Sequence, residues 1–92
     1  MRDKHYIYIL YSKKLDRFYV GQTTNVENRL KKHNDGYSTA TKSGKPWELK
    51  RVVEFESKTE AIRAEKWIKR MKSRRIINQI VDQEINLIEI VG

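Results

Sequence analysis

The chain has 92 residues, no cysteine, 20 Lys+Arg against 12 Asp+Glu, and a formal charge of +8 at pH 7. That length suits one domain with a modest core. The lack of cysteine excludes disulfides, thiolate zinc sites and a cysteine nucleophile, while 38% hydrophobic residues exclude a disordered basic tail. The charge asks for a polyanionic partner, because neutralising phosphates releases counterions.

In chain order, the charged start, Met1 to Lys4, precedes Tyr6-Ile7-Tyr8-Ile9-Leu10-Tyr11, which is aromatic and β-branched as a strand requires. This run is too short for a signal or membrane segment, so a soluble, cytoplasmic protein without a membrane partner is expected. His5 reads as a solvated strand start. Phe18 to Gly21 forms a second strand, and the polar Ser12–Arg17 stretch suits a hairpin. If Tyr11 pairs with Asp16 across a four-residue loop, Tyr8 falls directly opposite Tyr19 on one face.

Thr24-Asn25-Val26-Glu27 has the form of a capping box, with the Thr24 hydroxyl at the N-cap. The helix it opens should run to about Asn34 and stop near Gly36, a residue that takes positive φ without steric cost. Val26 and Leu30 form its buried pair, and Arg29 and His33, also four apart, line the adjacent stripe. Residues 37–47 lack periodicity and read as a polar loop. Leu49 to Phe55 resumes a strand.

A second capping box, Ser57-Lys58-Thr59-Glu60, opens a longer helix to about Lys72 with Ala61, Ala64, Trp67, Ile68 and Met71 along its core stripe. Glu65 interrupts that stripe: at 100° per residue it projects between Ala61 and Ile62, placing a carboxylate at the edge of the apolar arc. A third helix is expected around Ile76, Ile77, Ile80 and Val81. The fold class is α+β: a small three-stranded, mainly antiparallel sheet flanked by helices in the order β-β-α-β-α-α. Residues 1–83 would form the domain, with 84–92 a tail that is an extra strand or an ordered extension.

These motifs resemble the GIY-YIG nuclease superfamily, and in particular its small stand-alone, URI-type members. Tyr6-Ile7-Tyr8 stands for the first signature, with Tyr in place of the usual Gly, and Tyr19-Val20-Gly21 for the second, with Val for Ile. Arg29, His33 and Glu65 follow at matching intervals. The resemblance implies hydrolysis of DNA phosphodiester bonds to a 5′-phosphate and a 3′-hydroxyl, with DNA repair among the roles of such enzymes. The implied catalytic residues are Tyr8, Tyr19, Arg29, His33 and Glu65.

Glu65 would hold one Mg²⁺ or Mn²⁺, since such an ion takes one or two carboxylates, several waters and substrate oxygens. Arg29 would grip the scissile phosphate with its planar fork. A phenol with a reference pKa near 10 is a poor base, so Tyr8 would need Arg29 and the metal to lower its pKa, or His33 to take the proton. Tyr19 would position the water or phosphate. Taken one at a time, each residue has a plainer reading: Glu65 a helix-edge carboxylate, Arg29 a surface cation, the tyrosines core residues packed on Val26 and Leu30. Family members often carry an Asn after the helix bearing the Glu, and Asn78 is the candidate.

Residues 58–75 hold eight cations against two carboxylates, so this window supplies +6 of the net charge. Lys66, Lys69, Arg70 and Lys72 would meet the phosphate backbone, contacts that fix position without reading sequence. Lys42, Lys45 and Trp47 would grip the strand near the cut, although Trp47 suits a core cap better. Little sequence specificity is expected, with structured or single-stranded DNA as the partner and a monomer as the working unit. The rival readings are an inactive nucleic-acid-binding module of the same fold and a surface adaptor for membranes or proteins.

Overall fold

The computed structural model describes residues 4–37, 39 and 41–91. Residues 1–3, 38, 40 and 92, and with them parts of the expected loop and tail, lie outside the described residues.

The alternation of Tyr6 to Tyr11 produces β1, His5–Ser12, the central strand of an antiparallel sheet in the order β2-β1-β3. Its neighbours are β2, Arg17–Thr23, and β3, Trp47–Phe55. Around them the order is α1 (Val26–Asn34), a single 3-10 turn at Lys42–Gly44, α2 (Lys58–Met71), α3 (Arg74–Val81) and α4 (Leu87–Val91). The α+β class and the β-β-α-β-α-α order are as expected, and α4 is an addition.

Period-2 alternation sends the β1 side chains to two different cores. On one face Ile7 and Ile9 join Val20, Val53 and Phe55 beneath Ala61, Ala64 and Ile68 of α2, Ile80 of α3, and Leu87 and Val91 of α4. On the other, Tyr8 and Leu10 join Trp47, with Tyr19, Val26 and Leu30 packed against them. Helices α1 and α2 therefore lie on opposite sides of the sheet. Among the described residues no helix is long and apolar enough to cross a membrane.

Several expectations need correction. Tyr8 pairs with Gly21, and Tyr19 with Leu10, so the register is two residues from the expected one. The reason is the turn: Ser12 pairs with Arg17, and Asp16 adopts a left-handed φ of 52°. The Asp16 carboxylate accepts hydrogen bonds from the Tyr11 hydroxyl (2.5 Å) and the Arg74 guanidinium (2.6 Å). A two-residue shift preserves the face, so both tyrosines still project to the α1 side.

Asn25, not Thr24, caps α1, its side chain accepting from Asn28 N–H at 3.0 Å. Thr23 holds this cap by accepting from Asn25 N–H at 3.1 Å. Ser57 caps α2 as expected, accepting from Glu60 N–H at 3.2 Å. Strand β3 begins at Trp47, two residues early, because Asn34 brackets that residue, accepting from its N–H (2.5 Å) and donating to its carbonyl (3.2 Å).

Met71 is 42% exposed and leaves the core stripe of α2, since the helix ends there and Lys72 turns left-handed at φ 47°. His5 is buried, with Nε2 2.5 Å from Gln22 Oε1, where a solvated position was expected. The tail forms α4, not a strand: its Leu87 and Val91, four apart, seat on the α2 side of the sheet.

Candidate active site

Tyr8 carries the site's central group. Its ring crosses from β1 over β2, where a Cβ on Gly21 would stand 2.4 Å from the Tyr8 hydroxyl oxygen. The glycine thus leaves the space in which the phenol lies, a role that the Tyr-Val-Gly motif alone did not reveal. The hydroxyl ends 3.0 Å from His33 Nε2. Tyr19 closes the group, its ring edge-on to His33 at 4.9 Å and tilted to Tyr8 at 6.3 Å between centroids.

Both members of the hydrogen-bonded pair are buried, Tyr8 to 1% and His33 to 2% exposure. Burial, the neighbouring Tyr19 and the Glu65 charge all push the Tyr8 phenol upward, and only the Arg29 cation opposes them. Tyr8 therefore keeps its proton at neutral pH. His33 is shifted downward by burial and by Arg29, so it stays neutral and able to accept a proton.

His33 Nδ1 lies 2.7 Å from the Thr41 hydroxyl oxygen. Thr41 is itself buried, and the Trp47 indole N–H donates to its carbonyl at 2.7 Å. Sequence reading passed over Thr41, a single polar residue in an aperiodic loop.

Arg29 is exposed on α1, one turn before His33, and its charge is felt at both Tyr8 and His33. Glu65 arrives from the other side of the sheet on α2. Its side chain is 21% exposed, and its carboxylate accepts from Lys69 Nζ at 3.3 Å. Its charge also reaches Tyr8. Between β2 and the end of α2, a cleft of about 290 Å³ is lined by Phe18, Tyr19, Ile68, Lys69, Lys72 and Arg74. Tyr19 borders it, whereas Tyr8, Arg29, His33 and Glu65 do not line it.

The basic residues divide. Lys69 and Lys72 share the Glu65 side of α2 and line this cleft, whereas Lys66 and Arg70 line a separate groove with Trp67 and Ile90 of α4. Lys42 and Lys45 flank Gly36 at the end of α1, with Lys45 Nζ 3.3 Å from where a Cβ would sit. Trp47 is buried against Tyr8 and Leu10, a core residue as its plainer reading had it. Asn78 is exposed on α3 near Tyr11, Phe18 and Arg74, away from the Tyr8–His33 pair.

Among the described residues no three His, Asp or Glu side chains gather into a metal cluster. Glu65 is the one carboxylate whose charge is felt at Tyr8. One partly exposed carboxylate fits a hard ion that completes its shell with water and substrate oxygens.

The GIY-YIG catalytic domain family matches residues 4–78, which include Tyr8, Tyr19, Arg29, His33 and Glu65. The chain belongs to that family. Its members are in general endonucleases, acting on nucleic acid and typically using a divalent metal. Over 78 residues the chain is 41% identical to a UPF0213 protein of Halalkalibacterium halodurans, covering 84% of this chain and 81% of that one. A UPF0213 protein of Staphylococcus haemolyticus is 38% identical over 81 residues, covering 87% and 98%. The solution NMR structure of a UPF0213 protein from Bacillus halodurans superposes with a TM-score of 0.57 at 40% identity, covering 87% of this chain and 84% of that one.

Proposed function

We propose that this GIY-YIG domain is an endonuclease that hydrolyses DNA phosphodiester bonds with one Mg²⁺ or Mn²⁺ at Glu65 and little sequence specificity. The observation that carries the reading is the buried Tyr8–His33 hydrogen bond, with the charges of Arg29 and Glu65 both felt at Tyr8.

Phosphodiester hydrolysis needs an activated water, neutralised phosphoryl charge and help for the departing oxygen. Burial pushes the Tyr8 phenol up, so Tyr8 enters the reaction with its proton. It acts as a relay: as water attacks phosphorus and the bond to the 3′-oxygen breaks, the water proton passes to Tyr8 Oη while the Tyr8 proton passes to His33 Nε2, and the departing 3′-oxygen takes a proton from solvent. Tyr19, at the cleft, orients the water or the phosphate. Arg29 binds two non-bridging oxygens through its fork. Glu65 would hold the divalent ion, which would supply Lewis-acid stabilisation of phosphate charge. Lys69 and Lys72 hold the DNA backbone beside Glu65, with Lys42 and Lys45 at the other end of α1 and Lys66 and Arg70 on the flank of α2. Asn78 stands apart from this set. The working unit is a cytoplasmic monomer.

A second reading draws on the Glu65–Lys69 ion pair, in which Lys69 takes the place of the metal in an inactive DNA-binding module. Supercoiled plasmid, single-stranded DNA and branched DNA, each incubated with Mg²⁺, Mn²⁺ or EDTA, separate the two. Nicking that needs metal and is lost in Glu65→Ala, with DNA binding kept, is the expected result. The loss should be about a hundredfold or more, since metal stabilisation of the transition state amounts to several kcal/mol. Binding without metal-dependent nicking in the wild type would instead establish the inactive module.

A further inference from the structure

A neutral imidazole has one N–H, and the nitrogen that carries it decides what His33 can do. Only an unprotonated Nε2 can receive the Tyr8 proton; with the proton on Nε2, His33 would donate to Tyr8 and the relay would be blocked. We propose that Thr41 is a positioning residue, whose hydroxyl accepts from His33 Nδ1–H and so keeps Nε2 as the acceptor facing Tyr8. The role in cleavage rests on the nuclease reading above; the tautomer does not.

Four observations support it. The Nδ1 to Oγ1 distance is 2.7 Å, and both side chains are buried, so water does not stand in for either. Both hydroxyls seek an acceptor and a neutral imidazole offers only one; the phenol, the more acidic and so the stronger donor, takes His33 Nε2 at 3.0 Å and leaves Thr41 as the acceptor. Thr41 is clamped at its backbone, its carbonyl receiving the Trp47 indole N–H at 2.7 Å and Gly44 N–H at 3.1 Å. Loop movement that would free the hydroxyl is thereby opposed by a buried Trp.

The fourth is electrostatic. The groups facing His33 are Tyr8 from β1, Tyr19 from β2, Arg29 from its own helix and Thr41 from the following loop. In Ser-His-Asp hydrolases a carboxylate orients the base and stabilises its protonated form. A hydroxyl orients without adding charge, so it does not draw a proton onto His33 before the substrate arrives.

The test uses the full chain. Nitrogen-15 chemical shifts of the imidazoles, with the two histidines told apart by His5→Gln, should show wild-type His33 protonated at Nδ1 and bare at Nε2. In Thr41→Val, which keeps the shape and removes the hydroxyl, the Nε2–H form should become populated. On DNA, kcat should then fall about 10- to 100-fold, within or below the ~10²–10⁴ attributed to a general base, with KM unchanged and Thr41→Ser restoring both rate and tautomer. A wild-type His33 protonated at Nε2 overturns the proposal, as does a folded Thr41→Val that keeps both tautomer and kcat. A wild type that shows the Nδ1–H form but cleaves nothing sinks the nuclease reading and leaves the tautomer assignment standing. The wild-type spectrum decides the tautomer even where the Val variant does not fold.

Discussion

The two faces of β1 answer different demands. Toward α2, Ile7 and Ile9 meet only hydrocarbon, and stability comes from area removed from water and from close packing. Toward α1, Tyr8, His33 and Thr41 are equally buried, but each hydroxyl or imidazole needs a partner, and the three are linked in one hydrogen-bonded chain. One strand can thus carry a core held by packed area and another held by matched donors and acceptors. The cost of an unmade buried hydrogen bond, about 1–3 kcal/mol, is what holds the second face to one arrangement.

Variants on the two faces should therefore separate activity from stability. The largest effect is expected from Tyr8→Phe, which keeps the ring and removes the relayed proton: cleavage should fall by about 10²–10⁴, while urea denaturation shows a loss of only about 1–3 kcal/mol from the unpaired His33. Ile9→Ala should do the reverse, lowering stability by about 2–5 kcal/mol with cleavage per folded molecule unchanged. Equal activity losses from both would erase the distinction. Gly21→Ala comes next, because its Cβ would fall 2.4 Å from the Tyr8 hydroxyl oxygen and must displace it. It should cost about 1–3 kcal/mol in strain and slow cleavage, read by thermal melts and single-turnover rates.

The smallest effect is that of pH above the ordinary imidazole range. His33 is held below about 6.5 by burial first and Arg29 second, so rates from pH 8 to 6.5 should be flat and fall only in more acid solution. The same shift has a sign for stability. The unfolded chain takes up the His33 proton more readily than the folded one, so this contribution is complete above pH 6.5. It is lost as pH falls from there toward the folded value. His33→Gln should flatten that part of a stability–pH curve.

Much of this was legible in the chain itself. Aromatic and β-branched composition marks β1 and β2, period 3.6 and Ser57 mark α2, and Glu65 stands out because a carboxylate at an apolar edge is a local anomaly. What escaped was set by contacts remote in sequence. Asp16 in the hairpin turn meets Arg74, 58 positions away, and Ser12 at the strand end donates to the Gly44 carbonyl at 2.6 Å. Thr41 carries no periodic signal, because its partners are a helix that precedes it and a strand that follows. Met71 kept the right angular position but lay at the helix end, where the core no longer covers it.

Because α1 and α2 sandwich the sheet from opposite sides, the Glu65 charge acts on Tyr8 from the far face of the sheet. A chain still emerging from the ribosome, or clipped before α2, presents the hairpin and Arg29 but lacks its carboxylate. On the nuclease reading such a fragment is without the proposed metal ligand, so cleavage would wait on the folding of α2.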